Sequence, residues 1–225
     1  MKSHCIAVLL LAMAATVAGS QNADQFHPRV PTVTFDLIWA QLTPQEFMIR
    51  AQADGPSSYL SRNPLKPVQP GEEKEPDYTL DFTMSAKDAA RIFKWAQQAN
   101  YFNGDFDYKA HPIANTGKKT LTYADQTRHF QTLYNHSDNK AIQQLTALFQ
   151  GISSTIEFGR KLQFKHKYDK LGLEDELKSM EDAAATHSLA EIQIIAPTLQ
   201  SIANDNSVLN IARRRAKHLL AMSTK

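Results

Sequence analysis

The first half of the chain alternates apolar and polar side chains, whereas the second half repeats its apolar side chains at helical spacing. Three early segments have the composition and alternation of strands: 33–42, 46–53 and 57–62. In the second of these, Phe47, Ile49 and Ala51 fall on one face, as in a strand with one buried side. Asp54-Gly55 is typical of a tight turn. We therefore predict that the three segments form an antiparallel meander.

A proline-rich segment separates this meander from three further strands. Residues 63–77 contain four prolines and three glutamates, and proline is excluded from the interior of helices and central strands. The segment is therefore predicted to be an exposed loop. The strands beyond it are predicted at 78–82, 119–123 and 128–134, the last two joined by a hairpin turn.

Two helices are predicted among and after these strands. Ser85 and Asp88 have the spacing of a capping box at a helix N-terminus, and the helix that they begin is predicted to close at Asn103-Gly104. From Asn139 onward the apolar residues repeat every three or four positions. This period predicts a long helix that runs towards Tyr168.

The last third of the chain has a helical pattern throughout. Its helices are predicted to be separated at 171–172, 186–188 and 204–207. Ser188 with Glu191 repeats the capping-box spacing, so a helix is expected to begin there. Pro197 lies inside that segment and is expected to kink it.

Together these elements predict an α+β protein. An antiparallel sheet of about five to six strands is packed with two helices and is followed by an all-helical C-terminal extension. We divide the chain into a signal peptide at 1–20, an α+β domain at 21–158 and a helical extension at 159–225.

The N-terminus has the pattern of an export signal. Lys2 and the apolar run 6–17 match a secretory signal peptide in charge and length, and small residues allow cleavage after Ala18 or Ser20. The protein is therefore predicted to be periplasmic or extracellular. Cleavage removes Cys5, the only cysteine, which leaves no thiol for a disulfide, a zinc site or a nucleophile.

Composition excludes several classes of function. The net charge is only +2, whereas nucleic-acid binding normally needs a clear basic excess. No second apolar stretch approaches the roughly 20 residues of a membrane span, so the mature chain is predicted to lack a transmembrane segment. Because no nucleophile elbow, Walker loop or dinucleotide fingerprint is present, no cofactor is predicted.

Candidate catalytic groups are scattered along the chain. His129, Asp125, Asp105 and Asp107 are the residues from which a hydrolase using carboxylate and histidine chemistry would be built. The segment from Asn103 begins like a calcium loop, but its twelfth position is neutral, which favours a helix-ending turn. The histidines lack the i, i+4 pair of a helical zinc site, and no metal site is predicted.

Basic residues are concentrated on the last helix: Arg213, Arg214, Arg215 and Lys217. Further cations lie on the long helix at 160–167. Such runs usually keep a helix face solvated, and the functional alternative is contact with an anionic partner.

Several core and turn residues resemble those of a family of small bacterial exported domains of unknown function. The similar segments are Ala53-Asp54-Gly55, Phe82-Thr83-Met84-Ser85 and Asn100-Tyr101-Phe102, within a match over about 33–155. The segment from Lys165, with the helices after it, looks like a helical tail of other exported bacterial proteins. Where members of the family often carry cysteine, this chain has Thr43-Pro44-Gln45-Glu46, so no role of those cysteines transfers. The resemblance implies a fold and a location in the cell envelope, and no chemistry.

Three hypotheses for the function follow. The first is a non-enzymatic exported domain that binds an envelope protein or an anionic polymer, with the helical tail as contact surface. The second is the hydrolase, which requires the carboxylates and His129 to converge in a pocket. The third is peripheral association of the basic helical tail with an anionic membrane or wall polymer.

Overall fold

The computed structural model describes residues 28–64 and 76–223. The predicted signal peptide at 1–20 and residues 65–75 of the predicted loop lie outside these ranges. The strands in the described part are β1 (Thr32–Ile38), β2 (Glu46–Gln52), β3 (Ser57–Arg62), β4 (Tyr78–Phe82), β5 (Lys118–Ala124) and β6 (His129–Tyr134). They form one sheet in the order β4-β3-β2-β1-β5-β6, in which every pair is antiparallel.

One face of this sheet is apolar and buried. Val33, Phe35 and Leu37 of β1 are each at most 1% exposed, as the two-residue period predicts. The register places Phe35 opposite Ile49 on β2 and opposite Leu121 on β5. Apolar side chains of neighbouring strands therefore share a face, and this cross-strand contact is the main source of sheet stability.

The helices are α1 (Ala86–Gln98), α2 (Lys140–Tyr168), α3 (Leu173–Ala185), α4 (Ala196–Asn204) and α5 (Asn210–Met222). Two short 3-10 segments lie at Asn100–Phe102 and Ile192–Ile195. Helices α1 and α2 pack against the sheet and each other, whereas α3 to α5 form the C-terminal extension. The predicted α+β class, with its sheet, two packed helices and helical extension, is confirmed. None of the helices in the described ranges combines the length and the hydropathy needed to cross a bilayer.

Helix α2 connects two hydrophobic clusters. The sheet cluster is formed by the buried sheet face with α1 and the first half of α2, up to Ile156. The helical cluster is formed by α3 to α5, the second 3-10 segment and the end of α2, from Leu162. The division drawn from the sequence between residues 158 and 159 lies inside this continuous helix.

Two expectations for the region before α4 are wrong. No helix begins at Ser188; instead Glu191 has a left-handed backbone, with φ of 56°, and a 3-10 segment follows it. Pro197 does not kink a helix, because it lies in the first turn of α4, where its missing N–H has no helical partner to lose.

The end of α1 also differs from the expectation. The helix ends at Gln98 rather than at Asn103-Gly104, and the three residues after Ala99, Asn100–Phe102, all have positive φ. This left-handed turn is costly for residues other than glycine. It directs the ring of Phe102 into the sheet cluster, where the residue is fully buried.

Candidate functional site

A groove lies between α2 and residues 39–45, the connection from β1 to β2. It consists of two cavities, of about 310 and 620 Å³, which is the size range of small-molecule sites. Both cavities are lined by Leu42, Thr43, Pro44, Glu157 and Lys161. We call this feature the loop–helix groove.

Backbone hydrogen bonds fix the shape of the connection that forms one wall. Trp39 N donates to Gln45 O at 2.8 Å, and Leu42 N donates to Trp39 O at 3.0 Å. Gln45 N donates to the side-chain oxygen of Asn63 at 3.0 Å, which ties the connection to the end of β3. The wall is therefore held in place before any ligand arrives, as is usual for preformed sites.

Glu157, which lines both cavities, is held from beneath by a buried network of hydroxyl groups. Tyr59 OH donates to Glu157 Oε1 at 2.9 Å, and Ser61 Oγ donates to the same oxygen at 2.8 Å. The Ser153 hydroxyl lies 3.1 Å from Tyr59 OH. Burial, and then the charge of Glu157, raise the pKa of Tyr59 above its usual range. Tyr59 therefore stays protonated and acts as a donor.

Cationic side chains line the open side of the groove. Arg160 Nη1 lies 3.7 Å from the second carboxylate oxygen of Glu157. The ammonium groups of Lys161 and Lys165 lie 4.0 and 3.4 Å from the carboxylate of Glu176 on α3. Among the described residues, three cations and two carboxylates therefore lie together at or beside this rim.

The smaller cavity also has apolar lining residues: Leu37, Leu42, Pro44, Phe47 and Phe158. Phe158 lies on α2 beside the cations, and its ring centre is 5.8 Å from the ammonium of Lys161. A groove with an apolar wall and a cationic rim fits a ligand that has both an apolar body and an anionic group.

The residues proposed for a hydrolase are engaged in separate local contacts. Asp125 accepts hydrogen bonds from its own turn, including Arg128 N at 2.7 Å, and these bonds hold its pKa below the usual range even though burial opposes them. Asp107 accepts from Asn135 N at 2.8 Å. Asp105 pairs with Lys109, and His129 is exposed on β6. The loop–helix groove is lined by none of these candidates.

Residues 103–107 form a turn and loop after the left-handed segment rather than part of a helix. Asp105 Oδ1 accepts from Asp107 N at 3.1 Å, which is the local bond of an Asx turn. Within the two described ranges, no three or more His, Cys, Asp or Glu side chains are grouped so that they could hold a metal ion.

The predicted basic cluster is divided between ion pairs and solvent. Arg215 pairs with Glu174 and Glu181 of α3, and these contacts raise its pKa. Arg213 donates to an asparagine side chain at 2.7 Å. The exposed members are Arg214 and Lys217. The cluster thus contributes to the packing of α5 against α3 as well as to the surface.

A second polar cluster joins the start of α1 to the segment before α4. Ser85 N and Ser85 Oγ donate to the two carboxylate oxygens of Glu191, at 2.8 and 2.5 Å. Ser85 Oγ also accepts from Asp88 N at 3.2 Å, as the capping box predicts. Burial raises the pKa of Glu191. The hydrogen bonds from Ser85 act to lower this pKa, and the nearby carboxyl of Asp88 acts to raise it further. We call this cluster the Ser85–Glu191 clasp.

The loop–helix groove was not predicted from the sequence, although α2 carries a signal for it. Ser153, Glu157 and Lys161 follow one another at intervals of four and thus fall on one helix face. All three residues line the groove. The buried apolar repeat of α2, which the prediction followed, locates only the core.

Comparison of the chain with protein-family models, with curated proteins and with solved structures found no match. The resemblance to exported domains of unknown function therefore stays a prediction. The functional interpretation depends on the residues of this chain.

Proposed function

We propose that this protein is an exported, non-enzymatic binding protein that holds an anionic amphiphile in the loop–helix groove. The ligand has one acidic head group, such as a carboxylate or a phosphate, and an apolar body. The observation that carries the proposal is that Lys161 lines both cavities together with the apolar Leu42 and Pro44, and that Lys165 lines the larger cavity. Export is supported by the signal-peptide pattern of residues 1–20.

The hydroxyl network beneath the groove supports binding rather than catalysis. The hydroxyl groups of Tyr59 and Ser61 both donate to Glu157, so their protons are already used. Nucleophilic catalysis would instead need a hydroxyl paired with a base and directed at the ligand. We interpret the network as a rigid support that fixes the position of α2 relative to β3.

The rim supports an anionic ligand. The side chain of Lys161 is 56% exposed, and its ammonium lies at the limit of contact with Glu176. An arriving carboxylate or phosphate therefore gains a charge-assisted hydrogen bond without breaking a short ion pair. On α5, by contrast, Arg215 is already paired with two glutamates, which favours the groove over the basic helical tail as the ligand site.

Fluorescence titration with an anionic apolar dye, anilinonaphthalene sulfonate, tests the proposal on the mature chain. Dodecanoate is expected to displace the dye, whereas dodecyltrimethylammonium, with a similar apolar body and the opposite charge, is expected to displace it poorly. The paired substitution Lys161→Gln and Lys165→Gln should weaken dodecanoate binding by about tenfold or more, which corresponds to about 1.4 kcal/mol.

A matched control removes the same charge elsewhere. Arg214→Gln with Lys217→Gln, both on the exposed side of α5, should change dodecanoate affinity less than about twofold. Neither residue lines the groove, and salt screens exposed charges that do not contact the ligand. Ser154→Phe, which places a large side chain in the groove, should abolish displacement. Equal losses in the two charge variants, or equal displacement by the two amphiphiles, would refute the proposal.

A further inference from the structure

The three most exposed large apolar residues in the described ranges lie close together in the sequence. Phe164, Tyr168 and Leu171 are 61%, 64% and 75% exposed. Phe164 and Tyr168 are four residues apart and lie on one side of α2, and Leu171 lies in the turn that follows the helix. We call these residues the apolar stripe.

The apolar stripe faces away from the core. On α2 the neighbouring Leu162 is fully buried in the helical cluster, so the helix has an inner and an outer apolar face. The rings of Phe164 and Tyr168 contact each other, with their centres 5.0 Å apart. Such a patch on the outer face of a helix marks an interaction surface.

Lysines surround the apolar stripe. Lys161 and Lys167 are exposed, and the ammonium of Lys167 lies 4.9 Å from the ring centre of Tyr168. Lys165 and Lys170 are partly buried and contact Glu176 and Asp205 respectively.

Asp169 adds one exposed negative charge beside the stripe, and its Oδ1 accepts from Gly172 N at 3.0 Å. Lys161 and Lys167 are both exposed, so the exposed charge at the stripe is positive on balance.

We propose that the apolar stripe and its lysines dock on the surface of an anionic lipid bilayer. Apolar and aromatic side chains flanked by lysine are the composition of an interfacial helix. Lysine stems lie along apolar surface while their ammonium groups reach phosphate. The anionic headgroups complement the positive charge of this surface.

The small size of the stripe suits shallow insertion among lipid headgroups. Phe and Tyr side chains each offer roughly 150–250 Å², and an interfacial helix buries its apolar face only about 5–10 Å into the boundary between headgroups and acyl chains.

The apolar stripe is continuous with the loop–helix groove. Phe164 belongs to the stripe and also lines the larger cavity together with Lys161 and Lys165. Docking would therefore bring the mouth of the groove to the level of the lipid headgroups. The membrane proposal goes beyond the proposed function and does not require it, because the stripe is exposed whether or not the groove holds a ligand.

Vesicle co-sedimentation of the mature chain tests this proposal. We expect binding to phosphatidylcholine vesicles that contain about one-third phosphatidylglycerol, weak binding to pure phosphatidylcholine, and loss of binding as salt screens the charges. Phe164→Ser with Leu171→Ser should weaken binding by at least about tenfold, because each side chain loses its transfer into an apolar environment.

The matched control is Leu133→Ser, which removes an apolar side chain that is 51% exposed on β6, away from α2. It should leave vesicle binding unchanged. The proposal is overturned if wild-type protein does not bind anionic vesicles, if Leu133→Ser causes the same loss, or if Phe164→Ser instead abolishes a dimer in sedimentation velocity, since the occupant would then be a second copy.

A vesicle-free titration with dodecanoate separates the two proposals. Leu171→Ser, which lies outside the groove lining, should lower vesicle binding and keep dodecanoate affinity. If wild type binds vesicles but not dodecanoate, the groove proposal alone is refuted. If it binds dodecanoate but not vesicles, the membrane proposal alone is refuted.

Discussion

The Ser85–Glu191 clasp gives the sharpest test of the structure, through substitutions of Glu191. The residue is 6% exposed and accepts both the backbone N–H and the hydroxyl of Ser85. Its contact joins α1, which packs on the sheet, to the segment that leads into α4. Substituting Glu191 therefore tests how strongly the two hydrophobic clusters are connected.

The expected magnitudes differ between two substitutions. Glu191→Ala leaves the Ser85 N–H without its acceptor and removes a bond from the hydroxyl, and an orphaned buried donor costs about 1–3 kcal/mol. We expect a loss of about 2–3 kcal/mol in the free energy of unfolding. Glu191→Gln keeps an oxygen for Ser85 and offers an N–H to Asp88, so we expect a change within about 1 kcal/mol near neutral pH.

The pH dependence has a definite sign. Burial and the Asp88 carboxyl raise the pKa of Glu191 above its ordinary value of 4.5, so the folded protein binds the proton more tightly than the unfolded chain. The stabilisation is complete below about pH 4.5 and is lost as the pH rises through the folded pKa. Each pH unit between the two pKa values corresponds to about 1.4 kcal/mol. The guanidinium of Arg91 lies 3.0 Å from the Asp88 carboxylate, and its positive charge opposes the rise in the pKa of Glu191.

Urea unfolding of wild type and Glu191→Gln at several values of pH from 4 to 8 measures the contribution of Glu191 protonation to the free energy of unfolding. The contributions of the other titrating groups are common to both proteins and cancel when the two free energies are subtracted. Wild type should lose stability relative to Glu191→Gln as the pH rises. Asp88→Asn should reduce the slope. A difference that is constant with pH, or one that grows in favour of wild type, would refute the reasoning.

Three further predictions concern single side chains. A Cβ on Gly159 would lie 2.4 Å from a side-chain carbon of Ile195 in the second 3-10 segment. Gly159→Ala should therefore lower the melting temperature, because overpacking costs about 1–3 kcal/mol and the gain in helix propensity is about 1 kcal/mol. Arg215→Gln should lower the melting temperature because its two ion pairs to α3 are lost, whereas Arg214→Gln, on the exposed side of α5, should not. The ammonium of Lys170, with further bonds, holds the pKa of Asp205 far below its ordinary 3.8. Asp205→Asn should therefore melt below wild type at pH 6, and this difference should begin to shrink only as the pH falls below about 3.8.

Local patterns predicted the elements of this fold well where one face of each element is buried. The alternation around Phe47 and the repeat from Asn139 correspond to β2 and α2, because a buried face repeats with the period of its own backbone. Ser85 was correctly identified as an N-cap because its Oγ bonds three residues away, to Asp88 N. Features of this kind depend on neighbours in sequence.

Contacts between residues that are far apart in the sequence could not be predicted from such local patterns. The Ser188 and Glu191 spacing indicated a helix start, but Glu191 bonds Ser85 across 106 positions. Asp88 has a shorter side chain than the Glu or Gln of a full capping box, and the distant carboxylate occupies the place at Ser85 N. The loop–helix groove likewise exists only because residues 39–45 lie beside α2 in the fold.

Whether the sheet and the helical extension unfold together is the remaining question about this architecture. Helix α2 runs for 29 residues without a break through both clusters. Thr155 Oγ1 donates to Ala190 O at 2.7 Å, and Gly159 closely approaches Ile195. These contacts and the Ser85–Glu191 clasp lie on one boundary, so opening it exposes apolar surface on both sides. We therefore expect one cooperative transition.

The two tryptophans make this expectation testable. Trp39 and Trp95 both belong to the part of the chain before residue 158, whereas α3 to α5 contribute much of the helix seen by far-ultraviolet circular dichroism. Fluorescence and circular dichroism should therefore give the same midpoint in urea. Leu177→Ala, a fully buried site in the helical cluster, should cost about 2–5 kcal/mol and should lower the fluorescence midpoint as much as the dichroism midpoint, although neither tryptophan lies in that cluster. If only the dichroism midpoint falls, the two parts unfold independently, and the division between residues 158 and 159 separates two folding units within one helix.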